Sequence, residues 1–167
     1  MSLEEFLEQV ARRGSWSGGG SVAAVSAALS VALLEKLSTR PRAVRRLRRL
    51  RRECLVLVHR DAQTFSRVIE ATRAGNRGAF TRSLKQATEV PYRVFAHAQT
   101  VAAICRAERR FIKPRFQSDL HCAMAVAGAA GESARALIRT NLAWLKDQAY
   151  TARMTRRLRQ AAQPHVR

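Results

Sequence analysis

The stretch GGGSVAAVSAALSVALL, residues 18–34, decides the fold because it is long, apolar and free of charged side chains. Its glycines form a turn, and Ser21 is expected to begin a helix that runs to about Leu37. The alanines of this helix would let neighbouring helices approach closely, which favours a buried position. The stretch is at the short limit for a membrane span, and we interpret it as a core helix.

Four further helices are predicted around this core, because apolar residues recur at helical spacing and strand-like alternation is absent. Ser2 and Glu5 form a capping box before a short first helix. Pro41 is suited to the first turn of the third helix, and Ser118 is expected to cap the fifth. The sequence therefore predicts an all-α, single-domain bundle of about five helices.

The length of 167 residues suits one domain, and neither an internal repeat nor an interdomain linker is visible. We assign residues 1–152 to the helical domain. After about Met154 the chain becomes basic and weakly apolar. Residues 153–167 are therefore predicted to be a flexible tail.

The charge is strongly positive: 31 Lys and Arg residues oppose 12 Asp and Glu residues, for a net charge of +19. Such a chain attracts nucleic acid, anionic membrane surfaces and polyanionic small molecules. Seven arginines crowd one part of the third helix and could contact phosphates. We do not favour nucleic acid, because no recognised nucleic-acid fold or pattern of stacking aromatics accompanies them. These arginines are Arg42, Arg45, Arg46, Arg48, Arg49, Arg51 and Arg52.

The cysteines and histidines indicate neither disulfides nor a metal site. Cys54, Cys105 and Cys122 are odd in number and form no Cys-x-x-Cys pair, so we interpret them as buried thiols in a reducing cytoplasm. The acidic start of the chain is unlike a signal peptide, and no membrane association is expected. None of the histidines has metal-ligand spacing with another ligand type; they are His59, His97, His121 and His165.

Two polar residues interrupt apolar stripes: Asp61 on the third helix and Asn141 on the fifth. A buried carboxylate is costly unless it has a partner or faces a cleft. Asp61 could therefore belong to a site, or could simply pair with one of the many arginines. The glycine turn before Ser21 has the same ambiguity: a helix start with exposed backbone donors can bind an anion, but a glycine triplet can also be a flexible turn.

Five segments in order resemble the formiminotetrahydrofolate cyclodeaminase / methenyltetrahydrofolate cyclohydrolase family. The resemblance covers residues 3–147, nearly the whole chain, and each motif alone is short. Three places depart from the family pattern. Ser17 stands where a proline usually precedes the glycines, residues 112–117 stand where an asparagine-containing loop usually precedes Ser118, and Leu137 stands where a second asparagine is common. The segments are FLEQVA (6–11) with GGGSVAA (18–24), DAQTF (61–65), KQATEVP (85–91), SDL (118–120), and NL (141–142) with KD (146–147).

The resemblance implies an all-helical homodimer that acts on a tetrahydrofolate derivative without a metal or redox cofactor. One branch of the family converts 5-formiminotetrahydrofolate to 5,10-methenyltetrahydrofolate and ammonia, and the other interconverts methenyl- and 10-formyltetrahydrofolate. Proton transfer in such chemistry needs positioned acids and bases. The resemblance indicates Asp61, Asp119 and Lys85 as catalytic candidates. It indicates Gly18, Gly19, Gly20, Ser21 and Asn141 as substrate-binding candidates.

Two alternatives to a cytoplasmic folate enzyme stay open: a diverged helical scaffold without catalysis, and a basic nucleic-acid-binding protein. Fold alone does not decide among them. Inward-facing carboxylates and an amide favour the enzyme, since a nucleic-acid binder has no need of them. On the enzyme interpretation, the basic surface would suit a polyglutamyl tail on the folate.

Overall fold

The structure is a computed structural model that describes residues 2–163. Within that range the chain forms six α-helices and two short 3-10 turns, without a β-strand. The predicted all-α single domain is thus confirmed, with six helices rather than about five. The helices are α1 (Leu3–Ala11), α2 (Gly19–Leu37), α3 (Pro41–Arg73), α4 (Arg77–Glu108), α5 (Gln117–Leu145) and α6 (Gln148–Ala161).

The predicted core helix is α2, which packs against α3, α4 and α5. Ala24, Ala27, Val31 and Leu34 on it are completely buried. Among the described residues α2 is also the one helix long and apolar enough to cross a membrane. Its position among three other helices accounts for that apolar composition by burial in the protein core.

The central helices run antiparallel, so the bundle has two distinct ends. Ser21 on α2 contacts Asp61 on α3, whereas Glu35 near the other end of α2 binds Arg48. We call the end with Gly19, Ser21 and Asp61 the glycine end. The opposite end, where α3 begins and α4 ends, is called the arginine end.

Most predicted helix boundaries follow local capping chemistry. The capping box of α1 is present, with the Ser2 hydroxyl accepting from the Glu5 amide at 3.1 Å. Pro41 occupies the first turn of α3 as expected. The prediction for Ser118 is wrong, because α5 already begins at Gln117 and Ser118 lies inside its first turn.

Residues 153–161 belong to α6, so the predicted flexible tail is wrong for this part of the chain. Tyr150 and Met154 lie one helical turn apart and are buried in the main core. Leu158 and Ala161 continue that stripe as partly buried residues. A narrow apolar stripe at the right spacing is therefore enough to dock this basic helix; residues 164–167 lie outside the described residues.

The cysteines are only partly as predicted. Cys54 and Cys105 are buried, and burial raises the pKa of each thiol to about 12. Cys122 is exposed, which corrects the expectation of a buried thiol. It lies on the outer face of α5, one position before the buried Ala123.

Candidate functional site

The side chain of Asp61 lies against the first turn of α2. The buried Ser21 hydroxyl is 3.0 Å from Asp61 Oδ2 and 3.2 Å from the carbonyl oxygen of Val58. The carboxylate of Asp61 fills the space that a Cβ atom on Gly20 would need. A side chain at position 20 would therefore collide with the Asp61 carboxylate in its present position, which favours glycine there.

Burial raises the pKa of the Asp61 carboxyl above its ordinary value of 3.8, although hydrogen bonds from the Ser21 hydroxyl and amide oppose the shift. Within residues 2–163 no arginine or lysine forms an ion pair with this carboxylate. The alternative that Asp61 pairs with an arginine is thus wrong for the described structure. A half-buried carboxyl held by a hydroxyl and an amide is suited to gaining and losing a proton.

The glycine turn presents backbone donors beside this carboxyl. Gly18 occupies the N-cap position of α2 and offers no side-chain cap, and Gly18 and Gly19 are exposed. The first amides of a helix lack partners within the helix and carry its positive dipole end. A polar or anionic part of a ligand could therefore bind at this turn next to Asp61.

Asn141 lies at the same end of the bundle. A Cβ atom on Gly19 would be 3.6 Å from Leu137 on α5, and Asn141 follows Leu137 by one helical turn. The residue is 9% exposed. No described residue hydrogen-bonds to its side chain, and its amide atoms keep some solvent access. The Asn141 side chain therefore lies on the buried face of α5, and its amide group is available to a ligand.

Lys85 is bound to α6 rather than to Asp61. Its Nζ is 2.7 Å from Asp147 Oδ2 and 5.3 Å from the centre of the Tyr150 ring. Asp147 also caps α6 by accepting from the Tyr150 amide at 2.9 Å. The hydrogen bond from Lys85 lowers the pKa of Asp147. In this structure Lys85 thus fastens the start of α6 to α4.

A second ion pair joins the same two helices, and the sequence analysis did not predict it. Arg157 donates two hydrogen bonds to Glu89, at 2.6 and 2.8 Å, and these bonds lower the pKa of Glu89. The Tyr150 hydroxyl donates to Glu89 at 3.3 Å, and burial raises the Tyr150 pKa to about 12. The spacing of Lys85 and Glu89 by four residues was a visible signal, but their partners are more than 60 residues away in sequence.

Asp119 lies at the arginine end, away from the other predicted site residues. Its Oδ2 is 3.9 Å from Nζ of Lys36, and its side chain is partly exposed. Ser21 and Lys36 are fifteen residues apart on one helix, a length of about 22 Å. Within one chain, the structure therefore does not bring Asp119 together with Asp61.

The described residues also contain a cavity and no candidate metal cluster. A cavity of about 1390 Å³ lies at the arginine end, and none of the predicted site residues lines it. Within residues 2–163, His, Cys, Asp and Glu side chains form no group of three that could hold a metal ion. The sequence-predicted cluster is thus Gly20, Ser21 and Asp61, with Asn141 at the same end.

The sequence profile described as formiminotransferase-cyclodeaminase matches residues 2–160 of the chain. The chain belongs to the formiminotransferase-cyclodeaminase family. A crystal structure of formiminotetrahydrofolate cyclodeaminase from Thermotoga maritima is similar to it, with a TM-score of 0.90 and 24% identity. The match covers 96% of this chain and 88% of that chain, and it shows that the two chains share a fold. No curated protein matches the sequence.

Proposed function

We propose that this member of the formiminotransferase-cyclodeaminase family is a cytoplasmic folate one-carbon enzyme. It would convert 5-formiminotetrahydrofolate to 5,10-methenyltetrahydrofolate and ammonia, or interconvert methenyl- and 10-formyltetrahydrofolate. The observation that carries the proposal is the half-buried Asp61 carboxyl, with its raised pKa and its contacts to Gly20 and Ser21. This carboxyl coincides with a family motif and lies beside an open helix start.

Asp61 is the proposed proton-transfer group. In the cyclisation, N10 attacks the one-carbon centre carried on N5, a base accepts the N10 proton, and the departing nitrogen leaves as ammonia after protonation. One carboxyl with a raised pKa can accept the first proton and deliver the second. Groups positioned in this way typically contribute about 10²–10⁴-fold to rate.

Asn141 and the glycine turn are the proposed binding groups. The free amide of Asn141 could accept and donate hydrogen bonds to the pterin ring. The exposed amides of the glycine turn suit a carboxylate of the folate. The folate is the substrate in this scheme, and the chemistry requires no metal and no redox cofactor.

A homodimer is part of the proposal. Large apolar side chains are exposed on adjacent helices, including Val22 and Leu29 of α2 and Leu55 and Val56 of α3. Exposed apolar residues on neighbouring helices are typical of a surface that another protein covers. We assign that surface to a second copy of the chain, in keeping with the family resemblance.

The test is turnover of 5-formiminotetrahydrofolate and of 5,10-methenyltetrahydrofolate, followed by ultraviolet absorbance. Asp61→Asn keeps the size of the side chain and an acceptor for Ser21 but removes the titrating group. We expect the wild-type protein to convert one of the two substrates and the variant to lose at least about 10²-fold in kcat.

Glu70→Gln is the matched control, because it removes an exposed carboxylate from the same helix. It should retain wild-type turnover. Asp119→Asn, tested in parallel, shows whether the distant carboxylate contributes. Absence of turnover in a folded wild-type protein would favour the non-catalytic scaffold, and full activity in Asp61→Asn would remove Asp61 from the mechanism.

A further inference from the structure

The cavity at the arginine end is a groove between the start of α3 and the end of α4. We call it the basic groove. Apolar atoms of Ile104 and Ala107 form part of its lining. Seven arginines line it: Arg40 before α3, Arg42, Arg45 and Arg46 from α3, and Arg106, Arg109 and Arg110 from the end of α4 and the turn that follows.

Among the described residues, one of the seven arginines of the basic groove, Arg40, is neutralised by a carboxylate of the protein. Glu108 is the acidic residue of the lining; it is fully buried, accepts from Arg40 Nε at 2.8 Å and is 3.2 Å from the Ser38 hydroxyl. Within residues 2–163 no ion pair involves any of the other six arginines. Their guanidinium groups therefore remain available to a ligand.

This arrangement differs from that of the next arginines along α3. Arg48 and Arg51 both bind Glu35, with Nε–Oε distances of 3.0 Å, and Arg49 lies near Glu53. The run of arginines therefore contains paired and unpaired members. Within the described residues, Arg42, Arg45 and Arg46 are unpaired and line the groove, whereas Arg52, at the other end of the run, is unpaired but lies outside it.

The first turn of α3 adds backbone donors to the same groove. Pro41, Arg42 and Ala43 line it, and the N-cap residue Arg40 makes no side-chain capping bond. The partial positive charge at the start of a helix attracts anions. Arg42, Arg45 and Arg46 lie at positions i, i+3 and i+4, whose Cβ atoms are about 5–6 Å apart. Such a row can contact successive phosphates of one extended strand.

An aromatic ring lies beside the groove. Phe111 is 41% exposed, and the guanidinium groups of Arg40 and Arg110, which both line the groove, are 4.4 and 4.8 Å from its ring centre. Single-strand-binding proteins combine a basic groove for the backbone with aromatic or guanidinium planes for the bases. Phe111 distinguishes this surface from a site for phosphate alone.

We propose that the basic groove binds single-stranded nucleic acid, independently of the folate chemistry assigned to the glycine end. The arginines and the first turn of α3 contact the phosphates, and a base stacks at Phe111. The proposed contacts are to phosphates and to the face of one base, so we expect binding to be independent of sequence. Arginine suits this task because its planar guanidinium forms paired hydrogen bonds with phosphate.

The test is fluorescence anisotropy of a labelled oligothymidylate of about 12 nucleotides, within the size range of single-strand grooves. The groove variant is Arg42→Ala/Arg45→Ala/Arg109→Ala, which removes three exposed and unpaired side chains. Each lost phosphate contact removes about 0.7 from the slope of log K against log salt, so the slope should fall by about 2. At about 0.1 M salt this corresponds to a rise in Kd of roughly 100-fold.

The matched control is Arg67→Ala/Arg73→Ala/Arg77→Ala, which removes the same charge from exposed positions around the α3–α4 turn. It should change Kd far less than the groove variant does. Equal effects of the two triple variants would overturn the proposal, because binding would then follow net charge alone. Circular dichroism of each variant shows whether the fold is retained.

The variant Phe111→Leu distinguishes the binding of nucleic acid from the binding of other polyanions. It should weaken oligothymidylate binding by at least about fivefold, since stacking on one base is worth about 1–3 kcal/mol. Competition by inorganic tripolyphosphate should be unchanged in this variant. Tripolyphosphate or oligoglutamate binding as tightly as the oligonucleotide, with no effect of Phe111→Leu, would overturn the proposal in favour of a small or carboxylate anion.

Discussion

Gly20 and Asp61 are in such close contact that neither can be considered alone. The carboxylate of Asp61 lies where a side chain at position 20 would begin, and the Ser21 hydroxyl holds it there. Gly18 has open space around it and an extended φ of −124°, so the structure favours glycine at position 20 and leaves position 18 open to other residues.

Gly20→Ala is therefore expected to lower the free energy of unfolding by about 1–3 kcal/mol, the usual range for overpacking a tight contact. Urea unfolding measures this change. Gly128→Ala is the control, because that helical position is exposed and has no atoms near its Cβ. Alanine there should stabilise the protein by up to about 1 kcal/mol. A Gly20→Ala protein as stable as wild type would show that the α2–α3 contact is looser than described.

The sequence signalled part of the site at this scale. Asp61 was detectable because a carboxylate interrupted an apolar stripe, and its contact with Ser21 agrees with their assignment to one site. The pairing of Lys85 with Asp147 was not detectable, because the two residues are far apart in sequence and belong to different helices. The separation of Asp119 from Asp61 likewise depends on the antiparallel order of the helices.

At the scale of elements, α6 shows how little apolar surface a helix needs in order to dock. Its sequence is dominated by basic and polar residues, and this composition predicted a flexible tail. Two buried side chains, Tyr150 and Met154, and two ion pairs with α4 hold it in place. The pairs were invisible without the fold, whereas the four-residue spacing of the apolar residues was visible.

Met154→Ala is expected to lower the free energy of unfolding by about 2–5 kcal/mol, because it removes a side chain that is 1% exposed from the core. Chemical unfolding of the variant tests this. Arg156→Ala, two residues later and exposed, should stay within about 0.5 kcal/mol of wild type. If the two variants were equally stable, α6 would not be docked as described.

At the scale of the whole molecule, the proposed folate site and the basic groove lie at opposite ends. The glycine end contains the carboxyl and the amide of the proposed folate site, and the arginine end contains the six unpaired arginines of the groove. The net charge of +19 was evident from composition. The pairing of Arg48 and Arg51 was not, because Glu35 reaches these two arginines only through the packing of α2 against α3. The Arg49–Glu53 pair spans four residues of one helix and is visible in the sequence.

Self-repulsion among so many cations destabilises the folded state, and salt screens it. Raising the ionic strength from about 0.01 M to about 0.15 M with sodium chloride is therefore expected to increase the free energy of unfolding. Urea unfolding at the two salt concentrations measures the change. A decrease would mean that the ion pairs on α3 and α6 outweigh the repulsion among the unpaired arginines.

The contact between Gly20 and Asp61 also affects which substitutions the protein can accept during evolution. As long as a lineage keeps the carboxylate at position 61, almost any mutation of the glycine codon at position 20 is penalised. Once a descendant replaces Asp61 with a small residue, the space opens and alanine becomes tolerable at position 20. Glycine at position 20 is thus more easily replaced after the carboxylate at position 61 has been lost than before.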